Sequence, residues 1–324
     1  MANRKLDILV PQYKETDEII KPLLDSIAIQ QSVDLEHDVG VIIANDGTRT
    51  KLTKEFLDSY PFTIEYHSHR HGGVSSTRNA CLDHSKADYV IFCDADDMLF
   101  HACGLWMIFR EMEKGFDTMV STFIEENKDP KTGNPVYISH EKDATFVHGK
   151  VHKREYLLEN DIRWNDSLTV HEDSYFNILC QSLTKNILYM STPWYLWKWR
   201  DASICRHDKK YILKTYNNLL DSNDALVQQF LDRDMKDKAE YYATMMIFDA
   251  YYTMAKPKWI NQENKEYRYN VEKRFTVYYE KYKYLWDDIN PKMKMFISNG
   301  VRTRSVGEGM QMESVTIDEW LRRR

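Results

Sequence analysis

Two acids separated by a single alanine, Asp94 and Asp96, follow the apolar run Tyr89, Val90, Ile91, Phe92 and Cys93. That run has the length and composition of a short buried strand, so both carboxylates emerge at its C-terminal tip. In an extended chain, side chains at i and i+2 point to the same side. So placed, they can hold a hard divalent cation, which in turn grips a diphosphate. A third acid, Asp97, follows directly. Taken alone, the pattern also fits a solvated turn at a strand end. Two further polar clusters stand in comparable places: Pro11, Gln12 and Tyr13 after the apolar run at 6–10, and Asn45, Asp46 and Gly47 after the run at 39–44.

These clusters need a framework. Residues 6–10 read as a strand, and 15–31 as a helix with Ile19, Ile20, Leu23, Leu24, Ile27 and Ile29 near helical period. Residues 39–44 form a second strand stopped by a turn signal, 51–59 a helix, and 62–67 a strand. Gly72 and Gly73 open a helix over 74–85, and 89–93 is the strand that carries the acids. This β-α-β-α-β order implies a mixed, mostly parallel sheet with helices on its faces, of the Rossmann-like α/β class. In such sheets ligands bind at the carboxyl ends of the strands, where all three clusters sit. Beyond them come a helix at 104–114, a strand at 117–125 and a loop or hairpin at 126–143. A strand from 145, a helix at 154–159, a loop holding Trp164 and Asn165, and a helix from His171 to about 183 follow. Residues 188–199 read as a strand pair interrupted at Pro193.

After about residue 206 the pattern changes to long helix-compatible stretches at 209–231, 235–255 and 264–286, almost free of Gly and Pro. The expected organisation is a catalytic α/β domain over 1–205, a helical appendage over 206–297 for acceptor binding or self-association, and a tail over 298–324. The tail finishes amphipathically with Ile317, Trp320 and Leu321. Residues 240–286 hold 14 aromatics, read mainly as helix-helix core, with a stacking platform for sugar rings as the alternative.

At 324 residues with 43% hydrophobic and 29% charged side chains, the chain is globular in composition. Its net charge of −6 is uneven: 1–205 carry 22 basic against 32 acidic residues, while 206–324 carry 22 against 18. The mildly basic second part suits an anionic polymer or a peripheral membrane contact. Five cysteines without CxxC spacing favour a reducing interior over disulfides or zinc. No apolar run approaches a membrane span and no signal peptide is evident, so a cytoplasmic protein is expected.

In order along the chain, five sets of residues resemble the family 2 glycosyltransferases. They are Pro11, Gln12, Tyr13 and Glu15; Asn45, Asp46, Gly47 and Thr48; Gly73, Arg78 and Asn79; Asp94, Asp96 and Asp97; and His171, Glu172 and Asp173. The resemblance covers about residues 6–205. It implies the GT-A fold, a nucleotide-diphosphate sugar as donor, and Mn2+ or Mg2+. The departures are Lys14, where the family commonly has Asn, and Thr48, where Ser is usual. Neither removes a needed group.

The resemblance also implies roles. Asp46 accepts a hydrogen bond from uracil N3–H, or caps its own turn. Pro11, Tyr13 and Glu15 belong to the first nucleotide-contacting loop, with the Tyr13 ring along the base or serving as a structural tyrosine. Arg78 contacts the nucleotide or braces the metal-binding loop. Asp94 approaches ribose or metal, and Asp96 is the more direct metal ligand. Inverting transfer needs one carboxylate to take the acceptor proton, while the metal stabilises the departing diphosphate. Asp173 matches that base, with Glu172 in support; charge complementarity or capping at a helix start is the alternative for both. Arg200 and Ser203 match a segment near the diphosphate, His207 is a third metal ligand or phosphate contact, and residues 148–150 line the acceptor site.

The leading expectation is therefore a metal-dependent inverting transferase acting from a UDP-sugar on a glycan or anionic polymer. Sugar transfer to modified DNA bases would need a stronger basic groove than the composition offers, but nucleic acid stays open as a partner. A non-catalytic glycan-binding relic would more naturally have lost Asp94, Asp96 or Asp173. Nucleotidyl transfer would bring a Gly-rich basic loop after the first strand, where Pro11, Gln12 and Tyr13 stand instead.

Overall fold

Strands β1 (Leu6–Gln12), β2 (Val39–Asn45) and β4 (Tyr89–Phe92) are apolar along nearly their whole length and buried on both faces, as strands covered by helices on each side must be. The computed structural model describes residues 4–200, 211–254, 265–287, 294–295, 298–300, 303 and 317–322. With β3 (Thr63–Ser68) the three strands pair in parallel in the order β3-β2-β1-β4. Helix α1 (Asp17–Ala28) covers this sheet with Ile20, Leu23, Leu24 and Ile27, whose spacing puts them on one face. Burying each such side chain contributes about 1.5–3 kcal/mol. Short helices α2 (Leu35–Asp38) and α3 (Lys54–Leu57) and the longer α4 (Gly73–His84) complete the connections.

The second half of the sheet is mixed. Strand β8 (Lys150–Lys153) runs antiparallel to β4, and β6 (Thr118–Lys128) antiparallel to β8. Strand β9 (Ile187–Trp197) is parallel to β6, and the two-residue β5 (Met98–Leu99) is antiparallel to β9. Strand β7 (Pro135–His140) forms an antiparallel hairpin with β6, resolving the loop-or-hairpin segment. Parallel pairing is thus confined to β3-β2-β1-β4 and β6-β9. Helices α5 (Gly104–Met112), α6 (Arg154–Glu159) and α7 (Glu172–Ser182) follow.

Three expectations change. Pro193 does not end β9, but it falls in the stretch 191–194 that leaves the ladder with β6, between the Ser121–Met190 and Phe123–Tyr195 pairs. The helix expected over 51–59 shortens to α3, which starts only after Thr53, whose side chain caps it by accepting Phe56 N–H. Residues 145–149 are a turn, and the strand starts only at Lys150.

The chain divides into two compact units, Met1–Ser203 and Ile204–Arg324. Within the second, helices Tyr211–Asp232, Lys236–Met254 and Lys265–Asp287 pack through Leu220, Phe230, Met246, Phe275 and Leu285. Its aromatics divide: Tyr251, Phe275, Tyr282 and Trp286 are buried, whereas Tyr241, Tyr269 and Tyr284 are exposed. A short helix, Ile317–Arg322, buries Leu321. Among the described residues no helix is long and apolar enough to cross a membrane.

Candidate active site

Parallel pairing aligns the ends of β1 and β2, with Pro11 opposite Ala44 and Gln12 opposite Asn45. Those last two side chains close the loops beyond them. Gln12 Nε2 donates to the Glu15 carbonyl at 2.7 Å, and Asn45 Nδ2 donates to the Thr50 carbonyl at 2.9 Å and to Gln12 Oε1. Glu15 Oε2 accepts the Tyr13 and Lys14 N–H groups at 2.7 and 3.1 Å, which folds the loop back on itself. Tyr13 is left exposed, its ring stacked on His71 with centroids 5.4 Å apart.

Asp46 is buried at the tip of β2. Its Oδ1 accepts Gly72 N–H at 2.8 Å; its Oδ2 accepts Gly73 N–H at 3.1 Å and lies 2.8 Å from His71 Nδ1. Asp46 therefore caps α4 from a different element, where a helix N terminus favours negative charge. It does not cap its own turn. Asn45 does that, accepting Thr48 N–H at 3.1 Å. Gly47 permits the approach: its φ is +66°, and a Cβ there would stand 2.6 Å from the His71 nitrogen.

Strand β4 ends at Phe92 and the chain turns at once, with Asp97 N–H donating to the Asp94 carbonyl at 3.1 Å. The extended geometry expected for Asp94 and Asp96 is thereby overturned. Asp96 pairs with Arg200, whose Nη1 is 2.6 Å from Asp96 Oδ2 and 4.0 Å from Glu15 Oε1. Asp97 turns inward, accepting the Tyr195 hydroxyl at 2.6 Å and Lys198 N–H at 2.9 Å. Among the described residues, Asp94, Asp97 and His148 each bring a ligand atom to within 4.8 Å of the others. Burial, and after it the charges of Asp94 and Asp96, push Asp97 well above the usual carboxylate range. Two carboxylates and an imidazole suit a divalent cation, whose charge would relieve this crowding. The donor set of Asp94, Asp97 and His148 fits such a cation, and Asp96 is not among its three members. Both His207 and Ser203 lie outside the described residues.

Helix α4 carries Arg78 into the interior, where it is 3% exposed. Its Nη2 donates to Asp94 Oδ1 at 3.0 Å, and its Nη1 donates to Asp173 Oδ1 at 2.6 Å and to Glu172 Oε1 at 3.3 Å. The guanidinium lies 4.4 Å over the Trp164 ring, which stacks in turn on Phe176 at 4.1 Å. The neighbouring Asn79 pins this ring's backbone, accepting Trp164 N–H at 3.0 Å and donating to its carbonyl at 2.9 Å. Arg78 and Asn79 thus work as a unit.

Glu172 and Asp173 occupy the first turn of α7, after His171 in a left-handed conformation with φ 65°. The His171 side chain does not cap the helix, and the Glu172 carboxylate is held in part by its own backbone N–H. Asp173 Oδ2 instead accepts Val147 N–H at 3.1 Å. Burial raises the pKa of both acids, the Asp173 charge adds to it at Glu172, and Arg78 opposes. Burial also disfavours the Arg78 cation, but Asp173, Asp94 and Glu172 outweigh it. A carboxylate with raised proton affinity is the property a general base needs.

The expected residues thus fall into three linked groups: Tyr13 with Asp46 through His71, Glu15 with Asp96 through Arg200, and Asp94 with Glu172 and Asp173 through Arg78. His148 and Lys150 are 3% and 1% exposed; His148 belongs to the candidate cation group, and Lys150 lies beneath it. The inward Asp97, His71, Trp164 and Tyr195 were given no role by the sequence. Asp97 had a local signal in its run of acids; Tyr195 had none, being brought in by the pairing of β9 with β6.

Residues 7–180 match the family model Glycosyl transferase family 2. Glycosyltransferase GlyA of Streptococcus pneumoniae is 22% identical over 244 residues, which is 64% of this chain and 32% of GlyA. The minor teichoic acid biosynthesis protein GgaB of Bacillus subtilis is 31% identical over 100 residues, 30% of this chain and 11% of GgaB. The chain therefore spans a third or less of the length of these relatives. Among solved structures, S. aureus TarS 1–349 is similar with a TM-score of 0.54 at 16% identity, over 86% of this chain and 91% of that one. The same TarS fragment in complex with UDP-GlcNAc gives a TM-score of 0.51 at 14% identity, over the same shares. The fold is GT-A, and the chain belongs to glycosyl transferase family 2.

Proposed function

We propose that the chain moves a sugar from a UDP-sugar to a hydroxyl of a glycan or cell-surface polymer, with inversion at the anomeric carbon. The observation that carries this reading is the Arg78 bridge, which sets Asp94 and Asp173 on either side of one guanidinium. Asp94 belongs to the cation-binding group, and Asp173, oriented by Arg78 and the Val147 amide, serves the acceptor. Asp94, Asp97 and His148 would hold a divalent cation, Mn2+ before Mg2+ given the imidazole, and it would supply a Lewis acid for the departing diphosphate. Asp46 receives uracil N3–H, and the stacked Tyr13 and His71 rings offer a face to the base. Arg200 serves the diphosphate from its place beside Asp96. Asp173 takes the proton of the acceptor hydroxyl as its oxygen attacks, and Glu172 supports the acceptor.

The UDP-GlcNAc complex of TarS supports a UDP-sugar donor, and the teichoic acid role of GgaB supports a polymer acceptor. A cytoplasmic enzyme working at the inner face of the membrane accords with such an acceptor, and the helices over 211–287 would serve acceptor binding or self-association. The test is a thermal-shift screen of nucleotide sugars with and without Mn2+. Metal-dependent stabilisation by a UDP-sugar is expected. Stabilisation by none of them would contradict the donor assignment.

A further inference from the structure

Lys150 is 1% exposed, among the largest fully buried side chains described. An ammonium removed from water needs partners. It donates to Asp143 Oδ1 at 3.3 Å and to the His148 carbonyl at 3.1 Å, and its Nζ lies 5.8 Å from the Phe123 ring centroid. Asp143 Oδ1 in turn accepts the N–H groups of Thr145 and Phe146 at 2.9 and 2.7 Å, closing a turn. Asn177 of α7, four residues beyond Asp173, donates from Nδ2 to the carbonyls of Thr145 and Phe146 at 3.1 and 2.8 Å. The turn is therefore held at its acidic end by Lys150 and at its carbonyls by Asn177. The next residue, Val147, is buried and delivers its N–H to Asp173 Oδ2. Arg78 holds the other oxygen, so the Val147 amide completes the orientation of the carboxylate.

We propose that Lys150 and Asp143 are positioning residues that set the orientation of the Asp173 carboxylate through the Val147 amide. This rests on the reading of Asp173 as the base. Lys150→Met leaves Asp143 without its cation, but that carboxylate is part-exposed to water and keeps the Thr145 and Phe146 N–H groups, so the variant is expected to fold at reduced stability. Asp143 lies at a partly exposed turn, with its side chain 18% accessible, so Asp143→Ala carries the test should Lys150→Met fail to fold.

The experiment measures UDP release with Mn2+ and water as acceptor, using UDP-glucose, UDP-galactose, UDP-N-acetylglucosamine and UDP-N-acetylgalactosamine. The donor turned over fastest is then carried through the variants. In this reaction the water oxygen bonds to the anomeric carbon, the bond to UDP breaks, and the water proton goes to Asp173. Lys150→Met and Asp143→Ala should each lower kcat about 10- to 100-fold while KM for the donor stays within about twofold. The double variant should fall no further than the weaker of the two, because both act through one path. Unchanged kcat in both variants, matched changes in kcat and KM, or additive losses would overturn the positioning role while Asp173→Asn remains inactive. No UDP release from any donor by the unaltered protein, or full turnover by Asp173→Asn, would instead remove the proposed function, and the positioning role with it.

Discussion

Arg78 and Asp173 meet across 95 residues of sequence, with Nη1 2.6 Å from Oδ1. The other arm of the same guanidinium holds Asp94 at 3.0 Å, so an acid at the end of β4 and an acid at the start of α7 are spaced by one planar, rigid group. The Trp164 ring beneath it and Asn79 beside it keep that fork in place.

Arg78→Lys keeps the charge and loses the fork. Turnover should fall about 100-fold or more. Arg78→Met leaves the part-buried Glu172 and Asp173 without their cation, at an expected loss of about 3 kcal/mol. Their folded pKa values would then lie above the unfolded ones, so the loss should deepen as pH rises. Urea unfolding at pH 6 and pH 8 reads this directly. An unchanged midpoint at pH 8 would contradict the role assigned to Arg78.

The proposed cation-binding group contains Asp97 and leaves out Asp96. Asp97→Asn and His148→Gln should each weaken Mn2+ binding in the presence of UDP by at least about tenfold, followed by calorimetric titration. Asp96→Asn should weaken it less, because its carboxylate is engaged by Arg200. The reverse order would restore the extended Asp94 and Asp96 arrangement.

Asp46 has a structural duty before any ligand arrives. Asp46→Ala removes the acceptor of the Gly72 and Gly73 N–H groups and should destabilise the fold by about 1–2 kcal/mol. It should also lower UDP affinity by about tenfold or more, the effect of losing a charge-assisted hydrogen bond. Destabilisation with undiminished UDP affinity would leave Asp46 as a helix cap alone.

His152 provides a pH signature away from the site. It is buried on β8, with Nδ1 3.2 Å from the Thr118 hydroxyl, and burial with the nearby Lys150 charge pushes its pKa down to about 3. The folded value lies below the unfolded value of about 6.5, so its contribution is fully present above pH 6.5 and is lost as pH falls towards 3. The protein should therefore lose about 2 kcal/mol between pH 7.5 and pH 5 through this group. His152→Gln should flatten that part of the profile in urea-unfolding measurements, and an unaltered slope would contradict the assignment.

Much of this was legible in the chain. Apolar runs at 6–10, 39–44 and 89–93 and the helical period of Ile20, Leu23, Leu24 and Ile27 reported the parallel half of the sheet, because strands and helices buried there have little freedom in composition. The antiparallel half was harder to read: β5 has two residues, β9 runs through a proline, and β8 starts later than its sequence suggests. Within the site, the residue types were readable and the pairings were not. Asp97, and not Asp96, lies beside Asp94 and His148 because the chain turns at Asp94, which no periodicity reports. The bond from Val147 to Asp173 depends on a backbone amide, which every non-proline residue carries, and so leaves no mark in the sequence.

The most direct test of the central claim compares Asp173→Asn with the unaltered protein, measuring UDP release in the presence of Mn2+ alongside the affinity for the donor. The account predicts loss of turnover by about 1,000-fold or more with donor affinity changed by no more than about twofold, as expected when a group acts only on the reacting proton. Retained turnover, or lost donor binding in a folded variant, would contradict it and make Asp173 a structural or donor-binding residue.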